Sequence, residues 1–318
     1  MRKFTKISRA GPAPMKNKTI VYTLHFLCFI VAALTIVGCQ QKQEQVGQEQ
    51  GITITDDLGR KLHLPKQPER VFGFTSAMAE MLFAIVDTAN IIARTPDCDY
   101  PAAVYTKPVV SNYPVDLEQV LALKPDLIFT SEGMTPLEDA ARLQELGIPV
   151  YYQKYRTVED VLKGIEDIGR IMGREQVANH LADSLRKEVQ QLEANYRNRP
   201  NPLQVLTITW TDPIYVYGKN TLLTDKLRIL GAENAVKETF DQPYPALTRE
   251  YILKLNPDVL MGGTKEKLEQ TFFSQYPELR KIKAYKDGRI YAPTGNLIER
   301  PGPRIVESIK ELEGFLYP

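Results

Sequence analysis

The stretch Asp116-Leu-Glu118-Gln-Val-Leu-Ala-Leu-Lys-Pro125-Asp126-Leu-Ile128 is matched without a gap by Thr248-Arg-Glu250-Tyr-Ile-Leu-Lys-Leu-Asn-Pro257-Asp258-Val-Leu260. Each copy opens on a residue whose side chain caps helices, Asp116 or Thr248. Each places a glutamate two residues later, in the first helical turn. A short apolar-periodic run follows, then Pro-Asp, which ends the helix, then an aliphatic strand. Two copies so far apart in one chain imply two similarly built units.

Working outward, the repeat sits in alternating strands and helices. Residues 52–65 alternate apolar and polar around Asp57-Leu58-Gly59, the pattern of a β-hairpin. A strand over 70–74 precedes a helix capped at Ser76. Strands over 126–130 and 148–152 and helices over 136–146 and 157–172 follow, the helices closed by Gly147 and Gly173. This alternation predicts parallel βαβ units. Residues 175–198 break the rhythm. Val177, Leu181, Leu185, Val189 and Leu192 recur at helical spacing, and neither Gly nor Pro intervenes before Pro200, so one long amphipathic helix is expected. Strands over 203–209, 214–217, 259–261 and 289–292 and helices over 221–230 and 304–316 complete a second alternating region. The fold class is therefore α/β: two Rossmann-like lobes, 52–173 and 200–318, joined by a single long α-helix over 174–199, with a ligand cleft between them.

The amino-terminal residues have a different character. Residues 1–38 carry Arg2, Lys3, Lys6, Arg9, Lys16 and Lys18, no acid, and an apolar run over 20–37. That is the layout of a secretory signal, and Met15 begins a more usual one than Met1. Ile36-Val37-Gly38-Cys39 resembles a lipobox, which implies cleavage before Cys39 and acylation of its thiol. The alternative is an uncleaved membrane anchor. Either places the remainder outside the cytoplasm. Residues 39–51 are glutamine-rich with nothing to bury, as a disordered tether would be. Of 40 basic residues six precede Cys39, so 34 face 39 acidic ones afterwards, a balance near −5. Without a basic block, nucleic acid is not an expected partner. Beyond Cys39 only Cys98 remains, so no internal disulfide forms; flanked by Asp97 and Asp99, its thiol reads as inert. His63 and His180 are the only histidines past the signal, too few for a histidine metal cage or a hydrolase triad.

On chemistry alone Glu118 and Glu250 complement helix dipoles. They also form a matched pair of acidic points on loops where partners dock, suited to a two-fold symmetric basic receptor and to steering rather than tight holding. These features resemble the periplasmic binding proteins for vitamin B12 and iron siderophores. The likeness covers roughly 53–316 and is carried by Thr53-Ile-Thr-Asp-Asp-Leu-Gly59, both repeats, Leu146-Gly-Ile-Pro149, Tyr217-Gly-Lys-Asn220, Leu230-Gly-Ala-Glu-Asn234 and Arg300-Pro-Gly-Pro-Arg304. It implies that Glu118 and Glu250 dock on arginines of an ABC permease dimer and that a bulky metal chelate lies between the lobes. It also implies a monomer without a cofactor of its own, held to the membrane by lipid on Cys39.

The resemblance further points to Tyr100, in a loop similar to the Asp-Tyr-Pro loop of vitamin B12 binders, and to Tyr244, where one such protein holds a tryptophan between prolines. Tyr113, Trp210 and Tyr215 are further candidates, with Arg300 the clearest cation. Flat aromatic rings cover a corrin or an aromatic siderophore at low entropic cost; the bland reading is core or surface tyrosine. Anionic siderophores call for an arginine cluster, so a corrinoid is favoured, with a ferric siderophore or haem as the alternative. A hydrolase is disfavoured: Gly262-Gly263-Thr264 is not a Gly-x-Ser-x-Gly elbow. A scaffold lipoprotein would bind no small molecule. No catalytic or metal-ligating set is expected.

Overall fold

The computed structural model describes residues 51–318. The signal, the tether apart from Gly51, and Cys39 lie outside the described residues. The chain opens with the antiparallel hairpin β1 (Ile52–Thr55) and β2 (Lys61–Leu64). Its turn is built on Asp56, whose carboxylate accepts from Leu58 N at 3.1 Å and Arg60 N at 2.9 Å and pairs with the Arg60 guanidinium. The adjoining Asp57 N–H donates to Tyr152 O at 3.1 Å, pinning the hairpin to the lobe.

The first lobe continues with β3 (Val71–Gly73), α1 (Ser76–Ile85), α2 (Leu117–Leu123), β4 (Leu127–Ser131), α3 (Leu137–Glu145), β5 (Val150–Gln153) and α4 (Val158–Ile171). The strands form a parallel sheet in the order β3-β4-β5. All residues of β4 and β5 are buried, as expected where helices cover both faces of a parallel sheet. Thr75, not Ser76, caps α1: its side chain accepts from Met78 N. Thr157 caps α4 and Asp160 completes the capping box.

Helix α5 (Glu175–Tyr196) crosses to a second sheet. There β6 (Gln204–Thr211), β7 (Ile214–Val216), α6 (Leu222–Ile229), β8 (Glu233–Asn234), α7 (Arg249–Leu255), β9 (Val259–Met261), α8 (Lys265–Gln275), α9 (Lys283–Lys286), β10 (Ile290–Tyr291), α10 (Gly295–Ile298) and α11 (Ile305–Leu316) follow. The order is β10-β9-β6-β7, with β8 also on β6 and only the β6–β7 pair antiparallel. Thr264, in the glycine-threonine stretch, caps α8 by accepting from Lys267 N.

The repeat is reproduced bond for bond. Helices α2 and α7 both end on a left-handed residue, Lys124 and Asn256. Asp126 N donates to Arg70 O and Asp258 N to Gln204 O, each at 2.8 Å. The carboxylates return the contact, Asp126 accepting from Arg70 N and Asp258 from Gln204 N.

Helix α5 is not a bare rod. One hydrophobic core runs from Ile54 and Met81 through Ala178, Leu185 and Leu192 to Leu227 and Ile309. The expected stripe holds at Leu185, Val189 and Leu192 but turns toward the amino end: Ala178 and Ala182 are buried, whereas Val177 is 46 % exposed. Close approach explains the shift. A Cβ placed on Gly169 of α4 would lie 2.2 Å from the Ala178 Cβ, so only small residues fit that crossing. Among the described residues no helix is long and apolar enough to cross a membrane.

Candidate functional site

In parallel α/β sheets ligands bind outside the carboxyl ends of the strands, and here the loops from those ends of both sheets meet. Glu80 of α1 is only 3 % exposed. Its carboxylate accepts from Arg304 Nε at 2.9 Å and Nη2 at 2.7 Å, and from Arg300 Nη1 at 3.1 Å. Arg300 also pairs with Asp99, which accepts from Asn296 Nδ2 at 2.9 Å. The Arg304 guanidinium lies 4.3 Å from the centre of the Tyr100 ring. The arginines belong to the second lobe and the carboxylates to the first, so this cluster clasps the lobes. The bond from Arg300, aided by Asn296, holds the Asp99 carboxyl below its usual range despite some desolvation. Desolvation opposes the Arg300 charge, but its bonds to Asp99 and Glu80 prevail and raise its pKa. Removing one partner of a buried pair of this kind costs about 3–5 kcal/mol, so the clasp has a structural role.

A second group lies within the second lobe. Trp210 and Tyr215 are paired in the β6–β7 register. Trp210 is 63 % exposed and its indole N–H donates to Asp212 O at 2.8 Å. The 243–247 segment runs beside β7, with Val216 N donating to Pro245 O and Gly218 N to Pro243 O. This brings Tyr244 edge-on to Tyr217, the ring centres 5.2 Å apart. Desolvation and the nearby Glu299 raise the Tyr244 phenol above its ordinary range, while Arg156 of the first lobe pulls it back.

Of the sequence candidates, Trp210, Tyr215 and Tyr244 lie together beside the β6–β7 pair, while Tyr100 and Arg300 sit at the clasp. Tyr113 stands apart, 85 % exposed on the loop ahead of α2. Glu118 and Glu250 are both exposed in the first turns of α2 and α7. Each helix enters its strand through Pro-Asp and runs back along the sheet, which puts both carboxylates toward the strands' carboxyl ends. They are unequal. Arg249 Nε lies 3.0 Å from Glu250 and 3.1 Å from Glu278. Glu250 also borders a depression of about 280 Å³ lined by Asp212, Ile214, Leu247 and Tyr276. Its own backbone N–H, then Arg249, lowers its pKa. Cys98 is buried with its sulfur 3.2 Å from Thr95 Oγ1.

Sequence reasoning missed Glu80, Asp99, Arg304, Glu132 and Arg156. The signal for Glu80 was present: it is a lone acid inside the apolar run Met78-Ala-Glu80-Met81-Leu82, where an unpaired charge is prohibitively costly. Among the described residues no group of three acidic, histidine or cysteine side chains is placed to hold a metal ion.

A family model described as periplasmic binding protein matches residues 74–296. The chain belongs to that family. As such it is a substrate-binding protein of an ABC importer, in a family of transport proteins rather than enzymes. An uncharacterised ABC transporter substrate-binding lipoprotein of Bacillus subtilis, YvrC, is 27 % identical over 302 residues, 91 % of this chain and 95 % of its own. A vitamin B12-binding protein of Vibrio vulnificus is 26 % identical over 245 residues, 77 % of this chain and 88 % of its own. The crystal structure of a possible iron-binding periplasmic solute-binding protein from Staphylococcus epidermidis superposes with a TM-score of 0.70 at 26 % identity, covering 80 % of this chain and all of that one.

Proposed function

We propose that this binding protein is anchored by lipid on Cys39, captures a corrinoid between its lobes, and delivers it to a permease dimer that reads Glu118 and Glu250. The observation that carries the ligand assignment is the pairing of aromatic walls with cations already matched to carboxylates. Trp210, Tyr215 and Tyr244 offer flat apolar cover, with Tyr100 stacked beside Arg304 at the clasp. Arg300 and Arg304 are engaged by Glu80 and Asp99, and Lys154 and Arg156 by Glu132. Such a site suits a large ligand edged with neutral amides, as a corrinoid is, better than a polyanion. Arg300, fixed by its carboxylates, supplies a polar floor. Exposed phenols at Tyr100, Tyr113 and Tyr244 are also donors for ferric iron, which favours haem or a ferric siderophore as the second reading.

Glu118 and Glu250 suit the delivery role because both are solvent-exposed and weak. An exposed ion pair contributes about 0.2–1 kcal/mol, enough to fix register without blocking release. Replacing both with alanine is expected to reduce cellular uptake of labelled cyanocobalamin at least several-fold while leaving the purified protein's affinity within about twofold. An equal fall in affinity would place these residues in the ligand site instead.

A further inference from the structure

The four cleft cations differ in how firmly they are neutralised. Glu80, which holds Arg300 and Arg304, has a side chain only 2 % exposed and is part of the lobe clasp. Glu132 is different. It follows β4 at the strand's carboxyl end, its N–H donating to Gln153 O at 2.8 Å, and its carboxylate is shared by two cations. Arg156 Nη2 pairs with one oxygen and Lys154 Nζ lies 3.4 Å from the other. All three side chains remain open to solvent, 30 % for Glu132, 39 % for Arg156 and 42 % for Lys154. The loop that carries the cations is fixed, since Arg156 N and Thr157 N both donate to Asp160 Oδ2 at 2.8 Å and Val158 N donates to Asp225 of the other lobe at 2.7 Å. Glu132 directly follows β4 and Lys154 directly follows β5, at the carboxyl ends where parallel α/β sheets take their ligands. A ligand in the cleft therefore meets the Lys154–Glu132–Arg156 group.

We infer that Glu132 is the specificity-determining residue for ligand charge, an internal anion that occupies Arg156 and Lys154 so that the cleft does not select carboxylate- or catecholate-bearing chelates. With Glu132 ionised the group carries one net positive charge; without it, two, and both cations are released to face the cleft. The inference rests on the cleft reading above but not on the corrinoid assignment, because it concerns the difference between anionic and neutral ligands.

The test is calorimetric titration of the wild type, Glu132→Gln and Glu132→Ala with three probes: haemin with its two propionates, a trianionic ferric tricatecholate, and neutral cyanocobalamin. Both variants are expected to bind the two anions about 10- to 100-fold more tightly than the wild type does, with the gain shrinking at high salt. Cyanocobalamin affinity should change less than about threefold. Adding Arg156→Gln to Glu132→Gln should abolish most of the gain. Glutamine keeps the shape of the side chain, and alanine serves if that variant does not fold. Unchanged anion affinities, or equal changes for all three probes, would overturn the role of Glu132 while leaving a wild-type complex with cyanocobalamin intact. No binding of any probe by any variant would overturn the cleft reading together with it.

Discussion

Lys226 has no exposed surface, and its ammonium donates only to neutral oxygens, Ile298 O at 2.8 Å and Ser308 Oγ at 2.7 Å. Desolvation brings its pKa from 10.5 down to about 7, with Glu311 opposing. The unfolded chain therefore holds this proton more tightly than the folded one. The burial penalty is complete below pH 7 and is relieved as pH rises toward 10.5. Relative to Lys226→Met, the wild type should gain stability between pH 7 and 10, measured by urea unfolding at both pH values. A constant difference would show that the lysine does not change protonation in that interval. Nothing in Leu222-Leu-Thr-Asp-Lys226-Leu-Arg marks Lys226 as buried. Its cover comes from α10 and α11, far along the chain. By contrast, Asp116 and Thr248 were legible as caps because their partners, Gln119 N and Tyr251 N, lie three residues away. Glu80 was missed for the opposite reason: its partners arrive more than 200 residues later.

Most helices and strands begin and end within a residue or two of expectation, since caps, glycines and prolines are local signals. Gly147 and Gly173 both adopt positive φ at helix ends, as the sequence implied, and Gly231 does the same after α6. The exception is the buried face of α5, where the apolar pattern selected Val177, which is exposed, and Leu181, which is only partly buried against the core, while Ala178 and Ala182 are fully buried. Hydrophobicity cannot show that a neighbouring helix comes close enough to exclude a branched side chain. Gly169 is the other half of that contact. Gly169→Ala would set a methyl against Ala178 Cβ and 3.2 Å from Arg174 O. The variant is expected to lose about 1–3 kcal/mol by chemical denaturation, despite alanine's better helix propensity. An unchanged or raised midpoint would mean that the α4–α5 crossing yields easily and that the lobe connection is softer than the continuous core implies.

At the scale of the whole molecule, the repeat announced two units, and the structure returns it as matched helix ends, Pro-Asp breaks and strand entries. The cleft was legible only in outline. Aromatic residues stood out because flat side chains beside strand ends are chemically distinctive. The pairing of Arg300 and Arg304 with Glu80 and Asp99 was not, because it depends on how two lobes come together across α5; nor was that of Arg156 with Glu132, which joins two separate strand-end loops of the first lobe. That pairing supports the proposed ligand, because it leaves these cations already balanced by carboxylates. The most direct test is calorimetric titration of the protein with cyanocobalamin. A single site per chain with submicromolar affinity is predicted, about −8 kcal/mol or stronger, quenching the fluorescence of Trp210 in step. Absence of binding to cyanocobalamin, with tight binding of haemin or a ferric siderophore by the unaltered protein, would contradict the corrinoid assignment.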